Sequence, residues 1–285
     1  MRASWLLVLA ACGGFVDREA ASTTYRIVHA SMDAARRERD VELARSALPS
    51  GIVQLDALVL AYPHRGFEEL RADATCQYAF AFVFDDWEDA RLAGRADDAE
   101  RIAARLTGLL RDCSDANLAL LPPAWRGDVS AHAREATAAD VPAVRRIATA
   151  GALAIAIDPV RGLGKLDGVM TMLARCVELA PLAHDGDAEL VLGTLEAARS
   201  MFLGGPDGSA RFAAARELGD GGVLAVDVTF ARAVAVARHD RAAFEAALHR
   251  VLAADLERWP DRRLQNELAR RRARRYLAAE ATLFQ

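Results

Sequence analysis

A cysteine that ends a short greasy run is the first place in this sequence where residue types and spacing could do chemistry. The run Trp5–Ala11 has seven residues, far short of the ~20 apolar residues that a membrane-spanning helix needs. One basic residue, Arg2, precedes it and small residues close it, the order of a secretory signal. Leu9-Ala10-Ala11-Cys12 resembles a bacterial lipobox, in which the thiol takes a diacylglyceryl group and the cysteine becomes the new N-terminus. Small side chains let the backbone enter the peptidase, and only a thiol makes the thioether. The expectation is a signal peptide over 1–11, lipidation at Cys12, a tether over 12–25 and one helical domain over 26–285. Gly13 and Gly14 follow the cysteine where no aspartate stands, which is similar to outer-membrane sorting.

Other chemistry comes up short. RGLGKLDG at 161–168 misses GxGxxG by one residue, lacks phosphate-loop spacing and follows no strand, so it reads as a loop entering a helix. The histidines at 29, 64, 132, 184, 239 and 249 show no HExxH or His-x3-His spacing. No Gly-x-Ser-x-Gly elbow exists. No metal, cofactor or catalytic group is expected, and the chain is read as a non-enzyme. A formal charge of −4 argues against a nucleic-acid partner. With Cys12 lipidated, Cys76, Cys113 and Cys176 remain. At most one bridge could form among them, and the simplest reading is of buried thiols acting as small hydrophobes.

The elements that must position these residues are helices. The 285-residue chain is 53% apolar and 27% charged, rich in Ala, Leu and Arg, which excludes disorder and favours helix. Asp40 can cap DVELARSALPS, which Pro49 should end, and a short helix follows from Gly51 to Ala61. Over 96–121, Ala99, Ile102, Leu106, Leu109, Cys113, Ala116 and Leu120 recur at steps of three and four. Helices are expected at 129–138, 140–156, 165–180, 186–203, 208–218, 221–238, 240–254 and 261–282, with short loops that make neighbours antiparallel. Phe212-x-x-Ala215 echoes as Phe244-x-x-Ala247 at an offset of 32, and Leu192-Gly193 resembles the Leu-Gly pair of a tetratricopeptide repeat. The expected fold is all-α, an array of degenerate tetratricopeptide-like helix pairs.

Two surfaces could carry binding. Tyr78, Phe80, Phe82, Phe84 and Trp87 put five aromatics in ten residues, so the helix is either central in the core or lines an apolar cavity. The acidic cluster Asp85, Asp86, Glu88 and Asp89 that follows reads as a helix end reaching water. Arg263, Arg270, Arg271, Arg274 and Arg275 form a basic ridge that suits an acidic partner or anionic head groups.

Several stretches together resemble the T component of tripartite ATP-independent periplasmic (TRAP) transporters, the TatT family, from about residue 40 to 285. DVELARSALPS with QLDALVLAYP (54–63) resembles its first helix pair, and CQYAFAFVFDDWEDAR (76–91) its aromatic helix. MFLGGPDGSARFAAAREL (201–218) resembles its Gly-Gly turn, and FEAALHRVLAADLERWPDRRLQNELARRRARRYL (244–277), with Asn266, its closing segment. Where the family usually places a Tyr-Trp, this chain has GALAIAIDPV at 151–160. The resemblance implies a periplasmic lipoprotein, on the outer membrane by its sorting residues, that associates with the transporter's solute-binding subunit. It also implies trimers and an apolar passage through each protomer, for which Phe80, Phe82, Phe84 and Trp87 are the candidate lining. The rival reading is a helical-repeat scaffold that assembles other envelope proteins and never touches solute.

Two or more acyl chains hold stably because each buried CH₂ contributes about 0.8 kcal/mol. Replacing Cys12 with alanine is therefore expected to release the protein from sedimenting membranes, and unchanged sedimentation would defeat the anchor.

Overall fold

Asp40 does cap a helix: its carboxylate accepts from the Glu42 and Leu43 amides at the start of α2 (Val41–Ala61). The structure, a computed structural model, describes residues 21–62 and 64–285. Cys12 and the signal over 1–11 lie outside the described residues. Pro49 does not end α2, contrary to the sequence expectation. Ala44, Leu48 and Leu55 make one buried stripe on both sides of the proline. Burying each leucine is worth ~1.5–3 kcal/mol, enough to offset the ~3 kcal/mol of a proline inside a helix. Residues 21–36 form another helix, α1, so residues 21–25 of the expected tether already belong to the folded body. Ala21 is buried there with Leu55, Phe67 and Leu70.

A long rod follows. It comprises α3 (Arg65–Tyr78), a wide π turn (Ala79–Val83) and α4 (Phe84–Leu92). The Phe84 amide bonds the Ala79 carbonyl, five residues back. Gly94, at φ +68°, reverses the chain into α5 (Ala96–Leu118). Arg65 donates to the Leu120 carbonyl and Arg105 to the Tyr78 hydroxyl, so α5 runs antiparallel to α3. Cys76 and Cys113 form a disulfide between these two helices, which corrects the reading of both as free thiols. Cys176 is a free buried thiol, which burial pushes up to about 11.

The array continues through α6 (Val141–Ile157), α7 (Pro159–Gly162), α8 (Leu166–Leu179), α9 (Asp187–Leu203) and α10 (Ser209–Leu218). Next come α11 (Ala225–Phe230) with a second π turn (Ala231–Ala235), α12 (Arg241–Ala253), α13 (Arg263–Ala278) and α14 (Glu280–Leu283). Among the described residues there is no strand, so the all-α expectation holds. The helix expected at 129–138 is instead one tight turn, Ala133–Glu135. Asp128 takes the Ser130 and Ala131 amides and Asp140 takes that of Thr137, and such local bonds compete with helix.

Neighbouring helices pack in chain order and α13 packs back on α2, closing the array. Its core is divided into separate clusters, the largest around α6, α8 and α9, with others around α3 to α5 and around α11 to α13. The echoed residues Phe212, Ala215, Phe244, Ala247 and Leu248 are all buried. Gly208 lies so close to Gly193 that a Cβ on it would meet the Gly193 carbonyl oxygen at 2.1 Å. The Leu-Gly pair thus sits where α9 and the start of α10 touch.

The disulfide closes a 37-residue separation. In the chain-entropy account such a loop is worth about 2–4 kcal/mol. The double variant Cys76→Ser, Cys113→Ser is expected to unfold at a correspondingly lower urea midpoint, and an unchanged midpoint would refute the stabilising role.

Candidate functional site

Two acids of the cluster after the aromatic run, Asp85 and Glu88, turn away from water, while Asp89 keeps its exposure. Asp85 is 2% exposed and its two carboxylate oxygens each accept from Arg275 at 2.8 Å, a bidentate pair. Arg272 donates to Glu88 at 3.0 Å and to the Tyr276 hydroxyl at 2.9 Å, and that hydroxyl donates to Glu88 at 2.5 Å. Asp86 takes Arg45 at 2.6 Å. Burial works to lower Arg272 and Arg275, and the facing carboxylates outweigh it and raise both. Burial raises Tyr276. Asp85 and Glu88 meet the arginines of α13, so for these two the expected hydrated helix end is corrected by partners more than 180 residues away.

That pairing also locates the expected basic ridge. Besides Arg275, Arg271 donates to Glu42 at 2.6 Å, Arg263 to Glu257 at 2.7 Å and Glu267 at 2.9 Å, and Arg270 to the Ala254 carbonyl. Arg274 is exposed and, among the described residues, makes no ion pair. Asn266, fully buried, donates to the Gly222 carbonyl and accepts from the Leu224 amide, so it holds the turn before α11.

The aromatic run divides. Phe82 and Trp87 are buried in the cluster that holds Leu106 and Leu110, while Phe80 and Phe84 are half-buried at its edge. Tyr78 and Phe82 have ring centroids 6.1 Å apart, and Phe84 and Trp87 5.4 Å. Arg45 and Arg91 lie over the Phe82 and Trp87 rings.

A second ionic group lies inside the closed array, on residues the sequence reading passed over. Arg146 donates to Asp73 at 3.0 Å and to Asn117 at 2.9 Å, and Gln77 also donates to Asp73. Asn117 donates in turn to the Cys113 carbonyl, beside the disulfide. Arg145 pairs with Asp187 at 3.1 Å, and Arg262 grips both oxygens of Asp185 at 2.9 and 2.6 Å. Arg36 of α1 approaches Asp73 at 3.5 Å. Burial lowers Arg146 and raises Asp187. His184 and Asp185 hold left-handed backbone, φ +49° and +58°, before Gly186 at +86°. His184 is solvent-exposed, yet burial, helped by the Arg145 charge, pushes it down to about 4. The only hint in the sequence was two adjacent arginines on an otherwise apolar helix, VPAVRRIATA.

The group's carboxylates are each already held by an arginine, so it ties together α3, α6, α9 and the turn before α13. The fold is that of a closed all-helical array. The TRAP transporter T-component family matches residues 37–284, and the chain belongs to that family. It is thereby an accessory component of a TRAP transporter, associated with the cell envelope. A comparison with curated proteins finds no match.

The His184 setting has a pH signature. The folded protein keeps the imidazole neutral down to about 4, whereas an unfolded chain takes the proton below its ordinary value of 6.5. Its contribution to stability is present above pH 6.5 and is lost as pH falls toward 4. His184→Asn, which tolerates left-handed backbone, should gain in thermal midpoint relative to the wild type across that window. Parallel melting curves would refute this.

Proposed function

We propose that the chain is a lipid-anchored, periplasm-facing subunit that docks the solute-binding subunit of its TRAP transporter. The observation that carries this is the family match over 37–284, which takes in nearly the whole helical body. The anchor at Cys12 confines the protein to a surface, which raises the effective concentration of a partner in the same compartment without any new contact. An outer-membrane position follows from the residues after Cys12, and assembly into trimers would multiply the docking sites. The helix pairs are read as degenerate tetratricopeptide-like units, whose outer faces supply partner contacts.

Within that reading the five arginines of α13 have unequal roles. Arg274 is exposed and free to meet an acidic partner. Arg263, Arg270, Arg271 and Arg275 act on the partner by holding α13 in place. Of the four candidate cavity aromatics, Phe80 and Phe84 keep exposed surface that an apolar ligand would meet, and Phe82 and Trp87 back them.

Affinity capture on the tagged full-length chain from envelope extracts tests the reading. Recovery of a TRAP solute-binding subunit is expected. Recovery of envelope-assembly proteins alone would replace it with the scaffold reading.

A further inference from the structure

Helix α2 is long and apolar enough to cross a membrane, yet only 17% of its most apolar window is buried. It is not a spanning helix here. Ala44, Leu48 and Leu55 fasten it to the body, and its flanking charges are paired, Arg45 with Asp86 at 2.6 Å and the half-exposed Asp56, at the strip's edge, with Arg71 at 3.2 Å. The outer side repeats at steps of three and four as Leu43, Ser46, Ala47, Ser50, Val53, Gln54, Ala57, Leu60 and Ala61, all exposed. Leu43 is 54% exposed, Val53 67% and Leu60 86%. No charged side chain stands on this strip, in a protein with 27% charged residues. The one charge at its end, Glu42, is engaged by Arg271.

We infer that this strip of α2 lies against the lipid surface to which Cys12 anchors the chain. The inference rests on the anchor reading above. Eight residues lie between Cys12 and residue 21, and nine steps of ~3.3–3.6 Å reach no more than about 32 Å. Ala21 belongs to the same core cluster as Leu55, Leu58 and Val59 of the second half of α2. The chain therefore enters the body at the level of the second half of α2, on the face opposite Val53 and Leu60, and an anchor at Cys12 holds that end of α2 within about 32 Å of lipid.

Area favours lipid over a second copy. At 1.5 Å per residue and about 10 Å of width, the strip from Ser46 to Ala61 covers roughly 250 Å². A stable protein interface buries about 800 Å² on each partner. A lipid surface has no such threshold here, because the anchor already holds the two together and the strip has only to set the orientation. Neutral side chains with three large apolar ones suit the boundary between head groups and acyl chains.

The test uses the full-length lipidated chain reconstituted in phosphatidylcholine–phosphatidylglycerol vesicles. Mass analysis of the N-terminal peptide reads the diacylglyceryl adduct on Cys12 independently. Val53→Trp adds a reporter on the strip, and Val160→Trp adds one on α7 at a residue 90% exposed. With brominated phosphatidylcholine, the emission added by Val53→Trp should be mostly lost and that added by Val160→Trp retained. An intact adduct with no quenching at Val53→Trp overturns the inference and leaves the anchor standing. A blue-shifted but unquenched reporter overturns it in favour of a protein surface, and equal quenching at both positions overturns it as unoriented contact. A missing adduct removes the anchor and this inference together, and the mass alone reveals that.

Discussion

The carboxylates of Asp85 and Glu88 hold the end of the chain against its first third, and most of the architecture follows from how they do so. Taking charged groups out of water costs several kcal/mol per ion, and the attraction between them returns this only when the remaining lone pairs and protons are also satisfied. Here they are satisfied: both oxygens of Asp85 are gripped by Arg275, and Glu88 accepts from Arg272 and from the Tyr276 hydroxyl. A half-made block would be worse than an apolar contact. Closure of the array is therefore close to all-or-none, with α13 fully seated or not seated at all. The exposed pairs at the same seam, Arg37 with Asp261 and Arg39 with Glu257, are each worth at most about 1 kcal/mol. They orient the seam that the buried block holds.

Closing the array turns its inner side chains toward one another, which explains the second ionic group. Consecutive residues on a helix point about 100° apart. Arg145 and Arg146 can thus reach different helices from one place, the first α9 through Asp187 and the second α3 through Asp73. Two adjacent arginines pin α6 from both sides. The left-handed turn at His184–Gly186 is the local accommodation. It delivers Asp185 to Arg262 and Asp187 to Arg145 within three residues, at the cost of two non-glycine residues in disfavoured backbone.

Much of this was legible in the sequence, and what was not has specific causes. Helix positions from α5 onward, the 129–138 stretch apart, follow from period and punctuation, since both are local. Asp40 was readable as a cap for the same reason. Pro49 misled because its local rule was outweighed by a buried stripe that runs past it. Residues 129–138 misled in the other direction, because alanines suggested helix while Asp128 and Asp140 drew the backbone into turns. The acids after the aromatic run and the arginines of α13 were each visible, but nothing local says that residues 85 and 275 meet. The inner ionic group left still less trace, being assembled from single residues on helices far apart in the chain. Tertiary pairing of charges is the part that one sequence hides.

The disulfide connects these levels. Cys76 lies three residues before the π turn at Ala79–Val83, the one place where the long α3–α4 rod departs from α-helical hydrogen bonding. An inserted residue of that kind rotates everything beyond it, and so decides which face of α4 meets α13. Holding that face toward the arginines calls for a fixed point upstream. Cys76 supplies that point by tying α3 to Cys113 on α5, and Asn117, one turn further along α5, carries the tie to Arg146. Such a bond persists in an oxidising compartment and is lost in a reducing one. The bridge thus fixes the near end of the rod whose far end carries the ring-closing carboxylates.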